Sequence, residues 1–316
     1  MNLNEGLKKQ NILKNIIFKR ILPNWELYLL IFLPLVYLIV FKYIPMYGVQ
    51  IAFKNYRAVD GILGSPWVGM KHFNTFFSNF MFKRLIRNTL TISIYSLIAG
   101  FPMPIILALL LNYMPLRRFK KTVQSVSYAP NFISTVIICG MVILFLSERN
   151  GLLNNVIAAF GGERVNFMAS PQFFSSIYVW SGVWQSMGFG SIIYIAALSG
   201  VDPQLHEAGI VDGASILRRI WHIDLPTILP TIVILLVLNA GQLMNVGFEK
   251  VLLLQNQLNL NTSEVISTHV YKVGILNSLG DFSYPAAIDF FTAVINLFLL
   301  TIVNYAAKRM SGSSLW

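Results

Sequence analysis

Acidic and histidine side chains are the groups in this sequence that could perform catalysis or hold a metal ion. The four histidines are scattered, without the His-Glu-x-x-His spacing of a zinc site, and the single cysteine has no partner, so no metal site is predicted. Asp281 with Asp289, or Glu249 with Glu264, could serve a membrane-embedded glycosyltransferase, but neither pair has a recognisable catalytic spacing. The chain also lacks a Gly-x-x-x-x-Gly-Lys-Ser/Thr phosphate loop, so it has no ATPase site of its own and is not predicted to be an enzyme.

The acids are concentrated in one segment, residues 202–224, which holds four of the thirteen. Asp202 before Pro203 is typical of a helix N-cap and first turn, and the pattern predicts a short helix over Pro203–Val211. Asp212 and Gly213 then predict a turn. A second helix is expected over residues 214–222, and Asp224 with Pro226 is expected to cap and open the next long helix.

These residues must be positioned by apolar elements, because 55% of the chain is hydrophobic and only 12% is charged. The apolar residues form blocks of about 20, the length that crosses a bilayer. The sequence therefore predicts an all-α, polytopic membrane protein with about six transmembrane helices. The spans are expected at residues 26–46, 88–112, 129–147, 173–199, 226–247 and 286–307.

Basic clusters give the expected orientation. Clusters before the first span, between the second and third, between the fourth and fifth, and after the sixth fall on one side if the spans alternate. That side is then cytoplasmic, with a cytoplasmic N-terminal segment at 1–25, a permease domain at 26–310 and a cytoplasmic tail at 311–316. Loop 47–87 disagrees with this orientation, because it is basic and would be external. A net charge of +11 distributed in this way favours topology signals over nucleic-acid binding.

The acidic segment resembles a known motif. The run from Glu207 to Ala214, followed by Ile223-Asp224-Leu225-Pro226, is similar to the EAA loop of binding-protein-dependent ABC importer permeases, with Gly209 where the family usually has Ala. The resemblance implies a coupling loop at 202–226 in which Pro203–Val211 docks on a separate ATPase subunit. The coupling residues that it implies are Glu207, Ala208, Gly209, Asp212, Gly213, Ile223, Leu225 and Pro226.

Three further runs extend the resemblance over nearly the whole chain after residue 25. Asn88-Thr89-Leu90, Asn245 to Glu249 and Ser314 to Trp316 look like the LplB-like branch of oligosaccharide importers. This implies a type I (MetI-like) permease fold in the bacterial plasma membrane and oligosaccharide uptake by alternating access. The implied partners are a second permease subunit, two ATPase subunits that carry ATP and Mg, and an extracellular lipoprotein that binds the substrate.

A sugar path needs amides, acids and aromatic faces. Asn239, Gln242 and Asn245 recur at three-residue spacing, which places them near one helical face, with Glu249 beyond. They could line the path or bond neighbouring helices. Asp289 is an acid inside an apolar block, and Trp184 could contact sugar or anchor the interface. Import of another solute, or an ion-coupled carrier that relies on Asp289, stays open as an alternative.

Overall fold

The computed structural model describes residues 22–276, 281–312 and 314–315, and most of these residues are helical. Within that part of the chain the extended pairing is a single antiparallel bridge between Lys54 and Trp67. Most of the predicted cytoplasmic N-terminal segment, and Trp316 of the tail, lie outside the described residues. The all-α prediction is confirmed.

Fourteen helices are labelled here in chain order. They are α1 Trp25–Phe53, α2 Gly61–Gly64, α3 Lys71–Ser78, α4 Phe82–Asn112, α5 Arg117–Phe132, α6 Thr135–Phe145, α7 Leu152–Ala159, α8 Phe174–Leu198, α9 Pro203–Val211, α10 Ile216–Ala240, α11 Phe248–Leu254, α12 Leu260–Ser263, α13 Ile266–Tyr271 and α14 Ser283–Ser311. Wider, π-helical turns interrupt α4 at Ser96–Gly100 and α10 at Ile220–Asp224.

Within the described residues, four helices are long and apolar enough to cross a membrane, namely α1, α4, α10 and α14, and the bent pair α5–α6 raises the number to five. The predicted fourth span is α8, a 25-residue helix. It falls outside that set because serine, glycine and glutamine interrupt its apolar sequence. The predicted third span, 129–147, is not one straight helix: the chain turns by 105° between α5 and α6, where Ser134 caps α6.

A helix does lie in the segment where the second helix was expected, residues 214–222, but it starts at Ile216 and does not end there, and the expected new start at Asp224 is wrong. Ser215 caps a helix whose path continues through Asp224 into the fifth span, so α10 runs unbroken to Ala240. Asp224 has helical backbone angles and makes no capping bond. Proline is tolerated at position 226 inside this helix. The π-helical turn before it does not need the backbone N–H that proline lacks.

Helix α8 lies at the centre and packs against α4, α5 and α10, while α14 packs against α10 and the end of α1. Close approach on α8 depends on glycine: a Cβ at Gly188 would lie 2.0 Å from the Ser127 carbonyl oxygen on α5. By contrast, residues 25–46 of α1 bury no side chain against the rest of the chain.

Loop 47–87, segment 148–172 and the described part of segment 248–285 meet in one layer at the end of the helices opposite α9. Thr262 Oγ1 donates to the Pro171 carbonyl at 2.7 Å, and the Tyr56 N–H donates to Ser283 Oγ at 2.9 Å. Two basic residues of loop 47–87 are held inside this layer. Lys54 is buried and donates to the Ile62 carbonyl at 2.6 Å, and Arg84 pairs with Glu264 at 3.0 Å.

Candidate functional site

Helix α9 and the turn after it form where the sequence predicts them. The Asp202 carboxylate accepts from the Gln204 N–H at 2.9 Å and caps the helix. Gly213 has φ +71°, a left-handed value that a side chain disfavours, and the chain reverses there. The outer surface of α9 exposes Glu207 and Ala208 together with apolar Ile210 and Val211.

The inner face of α9 lies on the start of α10. A Cβ at Gly209 would lie 3.4 Å from Arg219 Cγ and Cδ and 3.6 Å from Ile223 Cδ1, which is ordinary van der Waals contact. An alanine would therefore fit here, and the glycine is not required by space. Of the other predicted coupling residues, Asp212, Gly213 and Pro226 are exposed, and Ile223 and Leu225 are half-buried.

A buried polar cluster that the sequence did not predict lies beneath α9. Asp224 is completely buried, and its carboxylate accepts from the Tyr113 hydroxyl at 2.6 Å. His206 Nε2 on α9 lies 3.2 Å from the other carboxylate oxygen. Burial, and then the hydrogen bond and charge of Asp224, raise the pKa of Tyr113, so the phenol keeps its proton and acts as the donor. A buried acid between two apolar runs was the available signal, but its partners are distant in sequence.

A cavity of about 570 Å³ lies between α4, α8 and the end of α10. This is within the range of roughly 300–1,000 Å³ usual for small-molecule sites. Polar side chains line it from three sides, and they are Ser93, Ser96, Gln185, Ser186, Asn239, Gln242, Asn245 and Lys250. Three of the predicted path residues, Asn239, Gln242 and Asn245, therefore reach one cavity.

The predicted helical face for these amides is wrong in its geometry. Helix α10 ends at Ala240, so Gln242 and Asn245 lie in the turns that follow it. Asn245 still donates to Gln242 Oε1 at 2.6 Å and accepts from Asn296 Nδ2 at 3.2 Å, so the amides form a short chain between helices. The same amide side chains therefore line the cavity and form hydrogen bonds between neighbouring elements.

Asp289 lies beside the amide chain. A smaller cavity, about 380 Å³, is lined by Asp289 together with Gln242, Asn245, Thr292 and Asn296. Glu249 and Trp184 are exposed, and neither lines one of these two cavities. The structure thus brings four of the six predicted path residues together.

Lys250 is the cavity residue that sequence reasoning missed. It is 8% exposed, and Nζ donates to the Tyr178 carbonyl at 2.9 Å and lies 4.9 Å from the centre of the Tyr178 ring. Room for the ammonium depends on Gly182, where a Cβ would be 3.2 Å from Nζ. Burial lowers the pKa of Lys250 to about 8, so most of the side chain is charged at neutral pH.

Known proteins are similar to this chain in sequence and in fold. The profile of the family described as "Binding-protein-dependent transport system inner membrane component" matches residues 100–312. The polygalacturonan/rhamnogalacturonan transport system permease protein YteP of Bacillus subtilis (strain 168) is 42% identical over 96% of this chain and 94% of its own. Protein LplB of the same organism is 40% identical over 92% of this chain and 91% of its own.

A solved structure matches the fold over almost the whole chain. A crystal structure of a bacterial alginate ABC transporter, in complex with an alginate pentasaccharide-bound periplasmic protein, contains a chain that is 38% identical to this one. The similarity has a TM-score of 0.86 and covers 95% of this chain and 100% of that one.

Proposed function

The chain belongs to the family of binding-protein-dependent transport system inner membrane components and is a sugar ABC transporter permease, a transport subunit and not an enzyme. From this premise we propose that it imports acidic oligosaccharides, with uronate units, through the cavity between α4, α8 and α10. The residues proposed to line the path are Asn239, Gln242, Asn245, Asp289 and Lys250, with Glu249 and Trp184 acting outside the cavity.

Lys250 is the observation that carries this proposal. A buried ammonium beside polar amides is costly unless it meets an anion. Among the described residues the Lys250 ammonium makes one hydrogen bond, to the Tyr178 carbonyl, and its other two N–H donors are proposed to bind a ligand. A uronate carboxylate supplies that anion, and the amides supply partners for sugar hydroxyls. Polygalacturonan and alginate, named for the relatives above, are both polymers of uronic acids.

Energy input is proposed to come through α9. Exposed Glu207, Ala208 and Ile210 would dock on a separate ATPase subunit that carries ATP and Mg, with Gly209, Asp212 and Gly213 shaping the helix and its turn. The proposed complex has a second permease, two ATPase subunits and an extracellular binding protein.

Both termini would lie in the cytoplasm. Burial of Lys54 and the Arg84–Glu264 pair support this orientation, because these charges have partners within the layer and need no headgroups.

The test compares an acid with its neutral ester. Uptake of trigalacturonate and of its methyl ester is measured in proteoliposomes that hold the complete transporter, for the wild type, Lys250→Met and the exposed control Lys71→Met. We expect Lys250→Met to lower the acid-to-ester uptake ratio by about tenfold or more, because a desolvated charge pair is lost. The binding protein's own preference cancels between variants. An unchanged ratio in Lys250→Met would contradict the acidic-substrate proposal.

The pH dependence has a definite sign. Lysine is charged below its pKa, and the pKa here is about 8, so the cation is lost as pH rises through that value. Trigalacturonate uptake at low concentration should therefore fall several-fold from about pH 7 to about pH 9. Lys250→Arg keeps its charge over this range and should flatten the decline. A decline of the same size in Lys250→Arg would assign it to another group.

A further inference from the structure

Three elements meet at Asp224. The acid lies in the wide turn at the start of α10, Tyr113 directly follows α4, and His206 belongs to α9. Asp224 is fully buried, and the His206 side chain is 21% exposed. The outer face of α9 is exposed, so a docked partner could move this helix.

We propose that His206, Asp224 and Tyr113 form a latch that transmits movement of α9 to α4 and α10, the two helices that border the transport cavity. Tyr113 and His206 are thus positioning residues for coupling. The inference depends on the proposed docking role of α9, and it adds the internal contact by which docking would reach the cavity.

Energetics favour a contact that must move as one piece. A buried carboxylate is costly unless it is hydrogen-bonded or paired with a cation, so Asp224 cannot separate from both partners without a large penalty. If α9 is displaced, the lowest-cost response is for α10, and through Tyr113 also α4, to follow. Both helices contribute residues to the 570 Å³ cavity, including Ser93 and Ser96 from α4 and Asn239 from α10.

Buried polar atoms in and beside the latch lack aligned hydrogen-bond partners in this state. Asp224 Oδ1 and His206 Nε2 are close, but they are not aligned as a hydrogen bond. His206 Nδ1 and Arg219 Nε are likewise buried without a hydrogen-bond partner among the described residues. A coupling element must bind differently in its two states, and unsatisfied polar atoms leave free energy to be gained in the other state.

Arg219 connects the latch to the inner face of α9. Its guanidinium carbon lies 5.5 Å from the centre of the Tyr113 ring, and its aliphatic chain faces Gly209. The Tyr113 and His206 rings also meet edge to face, with centroids 6.1 Å apart. The latch is therefore packed as well as hydrogen-bonded, so it can transmit a push in addition to a pull.

The test measures cavity access without using a substrate. In a Cys139→Ser background, Ser186→Cys places a thiol on the cavity wall, and maleimide labelling is followed with and without ATP plus vanadate in the complete transporter. We expect His206→Leu to reduce the ATP-dependent change in labelling rate by about fivefold or more. ATPase co-purification should be unchanged, because it depends on the outer face of α9.

His222→Leu is the matched control. His222 lies on α10 in the same segment, but it is exposed, and the hydrogen bond of its Nδ1 among the described residues is to the Arg218 carbonyl of its own helix, at 2.9 Å. The control should respond to ATP like the wild type. A normal response in His206→Leu would overturn the latch. If ATP changed labelling in no variant, including the wild type, the alternating-access role of the cavity would fail first, and the latch with it.

A second set keeps the test decisive if His206→Leu does not assemble. His206→Gln, Asp224→Asn and the double variant preserve size and polarity, and Tyr113→Phe removes one donor. A latch predicts that the effects of His206→Gln and Asp224→Asn on ATP-dependent labelling are strongly non-additive. Additive effects would mean that the two residues act independently, and would refute the inference.

Discussion

The segment that carries α9 and the layer at the opposite end of the helices differ in how they are joined to the spans. Beneath α9, the buried polar connection passes through Asp224 with His206 and Tyr113. In the opposite layer, buried amides bond several segments at once. Asn88 donates to the carbonyls of Asn261 and Glu264 at 2.9 and 3.0 Å, and Asn259 donates to Met168 and Leu254.

The difference indicates which end holds its shape and which end moves. Buried hydrogen bonds that join several segments rigidify a region, whereas segments that open or shift have fewer buried contacts. We therefore expect the opposite layer, called the cap below, to be the rigid end of the molecule. We expect α9, which rests on the start of α10 and reaches Asp224 through His206, to be the end that moves. Mutations in the opposite layer should therefore lower stability, whereas mutations in α9 should weaken the coupling of ATP hydrolysis to transport.

The largest effect is expected from Ala208→Pro in α9. A proline inside a helix removes a hydrogen bond and clashes with the preceding turn, at a cost of about 3 kcal/mol or more. Transport should fall at least about tenfold, and less ATPase should co-purify with the permease. Ala208→Ser keeps the N–H and serves as control. Uptake at the wild-type rate in Ala208→Pro, with the ATPase present, would show that α9 does not couple.

A smaller effect of a different kind is expected at the cap. Asn88→Ala leaves two carbonyls in a buried site without their donor, which should cost about 1–3 kcal/mol of stability. The thermal midpoint of the purified complex should fall, while ATP hydrolysed per sugar transported should stay the same. Exposed Asn74→Ala is the control. A changed ATP-to-sugar ratio in Asn88→Ala would mean that the cap also moves in the cycle.

The smallest effect is expected from Gly209→Ala. The new methyl group fits against Arg219 and Ile223, and alanine stabilises a helix by about 1 kcal/mol relative to glycine. Transport should stay within about twofold of the wild type, with a slightly higher thermal midpoint. Gly213→Ala is the contrast, because φ +71° strains any side chain there. A strong transport defect in Gly209→Ala would mean that docking needs the glycine itself.

Local signals were sufficient to predict the helix over Pro203–Val211, the turn after it and the fold class. Asp202 before Pro203, and Gly213 after Asp212, act within a few residues of themselves, so capping and turn chemistry can be read without the rest of the chain. The positions of the spans could also be predicted, because a helix that crosses a membrane needs a long apolar run whatever residues lie beside it. The exception is the third span, predicted at residues 129–147, where the chain turns by 105° between α5 and α6.

Contacts between distant residues could not be predicted in this way. Asp224 before Leu225-Pro226 looks like a cap, and its incorporation into α10 depends on Tyr113 and His206, more than 100 and about 20 residues away. Lys250 follows Glu249 and reads as a solvated charge. Its burial depends on the space that Gly182 leaves on α8.

The wide turn at Ile220–Asp224 has a consequence for the phase of α10. A π-helical turn contains one residue more than an α-helical turn, and each residue advances a helix by about 100°. Shortening this turn by one residue would rotate the first part of α10 about its axis relative to the rest. The faces that meet α9 and the cavity would then lose their angular relation. Chain length between residues 216 and 240 is therefore a functional quantity in itself, independent of which side chains occupy it.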